Sequence, residues 1–461
     1  MRRSALLALA AVLFAACTLG PDYRRPAYPV PPAFRGQGPE DSGPSVGDLE
    51  WWRIFQDETL QQLIRSALAE NYDLRVAAAR ILDARAQVTI TRSFQFPEVN
   101  AGGSAPYQRI EGERAFLQPQ DQFSPSAGFD FSFEIDFWGR FRRATEAARA
   151  DLLASVDARR FVVSTLVSDL ATAYFQLRSL DAELQVSQRT LATRQDSLRL
   201  VTLREQGGVA ALIDVRQAEI LVATAAEILP DTERQIEQTE NVISVLLGRN
   251  PDAVPRGRPL LQQIGLPAVP AGVPSSLLER RPDVRQAEAQ LAAATARIGV
   301  AKSDYFPRVL LSGAAAGGSL LIDGSWVGPQ GLFSIGPSVR LPIFNTGRIA
   351  AGVDSAEARA QAALLQYQQT IQQAFRDVAD ALVEQRKRRE FRVQQEVLAR
   401  AAGDTSRLAD VRYKGGVSSY LEVLDSERQS FDAELGLVRA QRDELLAVVR
   451  LYRALGGGWQ E

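Results

Sequence analysis

The chain has 461 residues, with 53 Lys and Arg against 55 Asp and Glu, no histidine, one cysteine and one methionine. A net charge of −2 leaves no electrostatic footprint for nucleic acid. Without histidine the commonest general base near neutral pH and the commonest metal ligand are both missing; there is no Gly-x-Ser-x-Gly and no Gly-Lys-Ser/Thr phosphate loop, and the carboxylates are spread at helical spacing opposite the basic residues, so no enzyme, catalytic residue, metal site or cofactor is expected.

Arg2 and Arg3 precede an apolar run from Ala5 to Ala16, followed by the single cysteine, Cys17. A basic start, a short apolar stretch and small residues before the cut predict a secretory signal over residues 1–16, and about twelve residues are too few to span a bilayer core of about 30 Å. The placement of Cys17 after Ala15-Ala16 resembles a bacterial lipobox, which implies cleavage before Cys17 and acylation of its sulfur and new amino terminus. An ordinary signal with a cysteine nearby by chance is the alternative, but a chain with no second cysteine has no disulfide use for this one. Phe14 is less usual than Leu at its lipobox position. Thr18 stands where an Asp would signal inner-membrane retention, which favours the outer membrane.

Beyond the cysteine the chain is written twice. Gly139-Arg140 recurs as Gly347-Arg348, 208 residues on (347 − 139), and the same shift carries Gly207-Gly208 onto Gly415-Gly416, Asp214 onto Glu422, Glu219 onto Glu427 and Leu247-Gly248 onto Leu455-Gly456. Upstream the shift is 210, with Asp73-Leu74-Arg75 over Asp283-Val284-Arg285 and Phe96-Pro97 over Phe306-Pro307. A shift held that long predicts two copies of one structural unit, with the slip between Pro97 and Gly139. The copies are expected over 57–248 and 282–456. The segments 17–56 and 249–281 lie outside them, and 457–461 is a tail. Residues 21–46 and 251–274 are Pro- and Gly-rich without helical periodicity, and a disordered linker is one reading of 35–46.

Within a copy the elements come in a fixed order. Leu60, Leu63, Ile64, Ala67 and Leu68 define one apolar helical face from Asp57, predicted to run on to about Phe94; its counterpart starts at Pro282. Phe96-Pro97 and Phe306-Pro307 stop both helices. Then the period changes to two: in Phe129-Asp130-Phe131-Ser132-Phe133-Glu134-Ile135-Asp136-Phe137 every odd position is apolar and every even one polar. Such a strand suits lipid on one side and a water-filled lumen on the other. Val339-Arg340-Leu341-Pro342-Ile343 alternates more weakly in the second copy, and Gly- and Ala-rich strands are expected near 99–107 and 309–321. One β-hairpin per copy, about 97–138 and 307–346, gives four strands. Four strands do not close a barrel, so several chains must contribute. After each Gly-Arg a helical pattern runs about 68 residues, to Gln206 and Lys414, roughly 100 Å if straight. Leu166, Leu170, Ala173, Leu177, Leu180 and Leu184 form its narrow apolar seam. Gly207-Gly208 and Gly415-Gly416 reverse the chain, and returning helices are predicted over 209–247, interrupted near Pro230, and 417–455.

Gly20-Pro21-Asp22-Tyr23-Arg24-Arg25-Pro26, Trp51-Trp52 with Phe55, Asn71-Tyr72-Asp73-Leu74, Arg281-Pro282-Asp283-Val284-Arg285 and Arg412-Tyr413-x-Gly415-Gly416-Val417 resemble the outer-membrane efflux factors, the TolC-like channels, in their OprM/NodT-type lipoprotein branch. The resemblance covers essentially the whole mature chain. It implies an α+β membrane protein: a homotrimer with a twelve-stranded transmembrane β-barrel, four strands per chain, continuing into a long periplasmic α-helical barrel. The implied function is the exit channel of a tripartite pump that expels drugs and other small toxic compounds, with a periplasmic adaptor and an inner-membrane transporter. The second reading is the duct of a type I protein or peptide secretion system. It further implies that Gly207, Gly208, Gly415 and Gly416 lie at the periplasmic tip where the adaptor docks, and that Glu422 and Asp425 line the constriction, with Leu421 as an apolar gate; a solvated helix face is the bland reading of the two carboxylates. Asp214 and Tyr413 match a closing network, but the arginine that links them in TolC is Ser418 here. Arg412 or Arg204 is expected to replace it, or the link is absent and closure relies on the acidic and apolar rings.

Overall fold

The computed structural model describes residues 18–36, 45, 47, 49–110, 120–263, 272 and 274–459. Residues 1–16, the expected signal peptide, and Cys17 lie outside them, as do residues 37–44. Along the described chain come α1 (Trp51–Ile54), α2 (Glu58–Glu70), α3 (Tyr72–Ser93), β1 (Glu98–Ser104), β2 (Tyr107–Ile110), β3 (Gln120–Phe123), β4 (Ser126–Ile135), α4 (Arg140–Gln206) and α5 (Leu212–Leu246). A 3-10 turn (Leu260–Gln263), α6 (Pro274–Arg280), α7 (Pro282–Ser303), β5 (Arg308–Ile322), β6 (Ser325–Arg340), α8 (Arg348–Lys414) and α9 (Tyr420–Ala454) follow.

The duplication is kept to the residue in three pairs of helices, though not in α2 and α6, which have 13 and 7 residues. α3 and α7 are 22 residues each, α4 and α8 are 67 each, and α5 and α9 are 35 each. Gly139 and Gly347, Gly208 and Gly416, and Gly248 and Gly456 all take positive φ at equivalent places.

Four local expectations are corrected. The helix predicted from Asp57 to Phe94 is broken at Asn71, whose backbone is non-helical (φ −60°, ψ 132°) and whose Oδ1 accepts from the amides of Asp73 and Leu74 to start α3. Pro230 does not interrupt α5, which runs through it; a proline removes one N–H, and a helix of this length held by its neighbours continues past it. The strand expected over 339–343 ends at Arg340, because Pro342 has no N–H to extend a ladder. The first hairpin is cut into β1 with β4 and β2 with β3, since Pro106 and Pro125 interrupt both strands.

The chain divides into two compact units. One comprises Arg80–Val156 and Gln286–Gln368 with residues 18–27, and holds the sheet. In it β4 pairs antiparallel with β1 and β5, and β5 with β6; among the described residues β1 and β6 each have one partner, so both sheet edges are open. The register gathers Val99, Phe131, Gly313 and Ile335 in one row and Ala101, Phe129, Ala315 and Phe333 in the next row of the same face. The opposite face carries Asn100, Asp130, Ala314 and Ser334. Val99, Phe129, Phe333 and Ile335 on this face are exposed, Phe333 by 77%, so among the described residues nothing covers them. Gly313 lies under the Phe131 ring, where an added Cβ would come 2.3 Å from Cε1. Gly313→Leu is therefore expected to cost about 1–3 kcal/mol by overpacking and to reduce the folded band in a heat-modifiability gel; an unchanged band would remove the ring from that role.

The other unit comprises Tyr28–Ala79, Asp157–Arg285 and the chain from Gln369 on. In it α4 and α9 run antiparallel, tied by Ser164 Oγ to the Gly457 carbonyl (2.6 Å), Arg439 to Glu183 (3.1 Å) and Arg189 to Glu434. Leu166, Leu170, Leu177 and Leu180 are buried along α4 with Tyr174 and Phe175. The copies close their hairpins alike: Asn71 Nδ2 donates to the Leu246 carbonyl (2.9 Å), and Arg281 Nη1 donates to the Ala454 carbonyl (3.0 Å). The Pro-rich segments lie against helices. Tyr28 and Phe34 contact the Phe375 ring on α8, and Arg256 pairs with Asp181 (3.1 Å) and with Glu240. Asp57 joins three elements: its Oδ1 caps α2 at Thr59 and Leu60, and its Oδ2 accepts from the Tyr174 hydroxyl, the Arg258 amide and Gln263 Nε2, each at 2.9 Å.

Candidate functional site

The two Gly-Gly turns are the same device. Gly208 (φ +75°) donates to the Glu205 carbonyl and Val209 to that of Arg204; Gly416 (φ +75°) donates to Tyr413 and Val417 to Arg412. This 5→2 and 6→1 pattern ends a helix on a left-handed residue, the position where glycine alone carries no Cβ penalty. No atom would lie within 4 Å of a Cβ at Gly208 or Gly416. Glycine is needed there for backbone conformation, not for space.

Just behind the turns all four hairpin helices share one core: Val201 from α4, Val215 and Ala218 from α5, Ala409 and Tyr413 from α8, and Tyr420, Val423 and Leu424 from α9. The Tyr413 and Tyr420 rings stand 5.2 Å apart. Burial pushes both hydroxyls up, and the nearby Asp214 carboxylate adds to it in each case.

The link between hairpins runs through Arg204. Its Nη1 donates to the Tyr413 carbonyl (3.3 Å) and its guanidinium lies 4.5 Å from the centre of the Tyr413 ring, a cation over a π face. Arg412 instead reaches across its own turn to Glu422 (3.1 Å). Asp214 Oδ2 accepts from the Ala211 amide (3.2 Å) at the start of α5, and Ser418 Oγ is buried with no partner. Position 418 thus makes no side-chain hydrogen bond to the neighbouring hairpin. Leu421 is 63% exposed, and Glu422 and Asp425, one turn apart on α9, are exposed as well. Asp425 accepts from Arg428 (2.8 Å) and Gln429 (2.6 Å). Among the described residues no group of histidine, cysteine, aspartate and glutamate could hold a metal.

Sequence reasoning missed Arg194 and Ser197. Arg194 is 2% exposed and continues, at three- and four-residue steps, the seam that holds Leu180, Glu183 and Ser187. A charge at a seam position was the available signal, since such a residue commonly specifies helix register.

A sheet with one apolar and one polar face and two open edges, joined in sequence to paired long helices with matched turns, defines a channel-type protein of the outer membrane. The sequence model for outer membrane efflux proteins matches residues 63–249 and 273–457. The toluene efflux pump outer membrane protein TtgC of Pseudomonas putida is 36% identical over 464 residues, covering 99% of this chain and 95% of the relative. The cation efflux system protein CusC of Escherichia coli is 34% identical over 458 residues, covering 98% of each. Among solved structures, the outer-membrane channel OprN superposes with a TM-score of 0.86 at 32% identity, covering 96% of this chain and all of that one. The open state of the Neisseria gonorrhoeae MtrE channel gives 0.85 at 33%, covering 96% and 99%. The chain belongs to the outer membrane efflux protein family, whose members are outer-membrane channels.

Proposed function

We propose that this chain is the exit duct of a tripartite efflux pump. Three copies join their open sheet edges into a twelve-stranded barrel, and the helical hairpins line a tunnel in the periplasm. The observation that carries the reading is the run of strands β1, β4, β5 and β6, with an exposed apolar face and two edges open among the described residues: it is stable in a membrane only when other copies close it. Cys17 carries a lipid in the outer membrane. The Gly-Gly turns face a periplasmic adaptor, with an inner-membrane transporter beyond. Glu422, Asp425 and Leu421 from three chains ring the constriction, and Arg204 and Tyr413 hold the hairpins together behind it.

The cargo is small toxic compounds. The relatives' names span toluene and cations, and this chain has no histidine and one cysteine and one methionine, both at its start. It therefore offers no soft-metal ligands along the duct, and cargo is chosen upstream. The second reading, a duct for type I secretion of a protein or peptide, uses the same physics with an ATP-driven partner. Dye and antibiotic accumulation in a deletion strain separates them. Restoring the wild-type gene is expected to lower accumulation, while Gly208→Val with Gly416→Val is expected to leave it at the deletion level, because a β-branched residue is strained at positive φ. Unchanged accumulation on deletion, with a protein missing from the culture medium, would overturn the pump reading in favour of secretion.

A further inference from the structure

Beneath the tip core, between the hairpins of one chain, two charged side chains face each other without bonding. Arg194 on α4 donates from Nη1 to the Leu221 carbonyl of α5 (2.8 Å) and lies 4.9 Å from the centre of the Phe431 ring of α9. Glu427 on α9 accepts from Ser197 Oγ of α4 at Oε1 (3.1 Å). Arg194 Nε and Glu427 Oε2 are both buried and have no hydrogen-bond partner.

We propose that Arg194 and Glu427 form a proton-responsive seam between the two helical hairpins of one chain, in which protonation of Glu427 favours the packing seen here. The arrangement leaves a charged Glu427 short of hydrogen bonds, a costly state for a buried carboxylate, whereas a protonated Glu427 has less charge to satisfy. The groups that face it are Arg194 and Ser197 from α4, Asp410 and Lys414 from α8 and, on its own helix, the Tyr420 hydroxyl; Asp432 and Phe431 flank Arg194 from α9. Burial is the largest influence on Glu427 and raises its pKa, against the opposing pull of Ser197 and Arg194. A carboxyl whose pKa is higher folded than unfolded binds more protons in the folded state between the two values, so its contribution to stability grows as pH falls through that window.

The duplication makes the seam specific. The residue equivalent to Arg194 in the second copy is Ala402, and the one equivalent to Glu427 in the first is Glu219, which is paired with Arg216 on an exposed face (2.7 Å). The charged pair therefore exists only where α4 meets α9.

The test is thermal unfolding of the purified full-length protein in detergent at about pH 7.5 and about pH 4.5, so that the span reaches down to the ordinary glutamate value. Glu427→Gln, isosteric and uncharged, is expected to melt about 2–4 °C above wild type at the higher pH, with the gap closing at the lower. Arg194→Met removes the counter-charge, so its melting point is expected to climb more steeply than wild type on acidification. A wild-type to Glu427→Gln difference that does not change with pH, or parallel profiles for wild type and Arg194→Met, would overturn the proposal; the second comparison stands even where the glutamine variant does not fold. Bilayer conductance of the same samples separates this proposal from the duct reading. A flat melting difference in protein that conducts sinks the seam alone, and protein that never conducts but keeps the difference sinks the duct alone.

Discussion

Asp57→Ala is expected to destabilise the protein by about 3–5 kcal/mol, of which an N-cap accounts for about 1 kcal/mol and each buried donor left without an acceptor for about 1–3 kcal/mol. The side chain is 4% exposed and accepts five hydrogen bonds, two from the first turn of α2 and three from Tyr174, Arg258 and Gln263. No water can replace it where Tyr174 is itself fully buried. The site is also closed sterically, since a Cβ on Gly257 would come 2.1 Å from Asp57 Oδ1. Asp57→Asn keeps the shape but turns one acceptor into a donor facing other donors, so it is expected to fall between wild type and alanine. Denaturant midpoints of the three proteins check the order; a midpoint for alanine equal to wild type would show that the segment 251–263 is held by other contacts.

The second large effect concerns the tip. Arg204→Met is expected to raise the resting conductance of reconstituted channels, because it removes the one polar contact from α4 to Tyr413 described behind the turns. A cation over an aromatic face contributes about 1 kcal/mol per chain, and in the proposed trimer three chains moving together would turn this into about a hundredfold in the closed-to-open ratio. Adding Ser418→Arg to Arg204→Met is expected to lower the conductance again, since it restores an arginine where TolC-like channels use one. Resting currents identical in wild type and Arg204→Met would assign closure to the Leu421, Glu422 and Asp425 rings alone.

The architecture was legible in the sequence because repetition is insensitive to local ambiguity: the 208-residue shift located both Gly-Gly turns, both long helices and both returning helices. The period-two run around Phe131 likewise sits in β4. What sequence could not show were events that leave the apolar pattern unbroken. Asn71 ends one helix and caps the next while Leu74 and Ala77 keep the same face buried, so periodicity passes through the break. Pro230 reads as a stop, yet one missing N–H is minor in a helix packed along its length. At the tip, the sequence left the choice of partner open. Arg204 and Arg412 were equally eligible for Tyr413, and the choice depends on which hairpin each extends from, a three-dimensional fact. The buried pair Arg194 and Glu427 was invisible because its two members are 233 residues apart (427 − 194).

The equal lengths of the paired helices constrain how such a chain can change. A residue inserted into α4 alone would lift its turn about 1.5 Å beyond that of α8, so a partner resting on all the turns of an assembly would meet an uneven rim. A helical insertion would also rotate every following side chain by about 100° and move the apolar seam off its neighbours. The two-residue slip in the repeat shift falls instead between Pro97 and Gly139, in the stretch that carries β1 to β4. From α3 and α7 onward, length variation between the duplicated halves falls in the strands and their loops, while the three equal pairs of helices behave as matched rulers whose sequence can drift only by substitution.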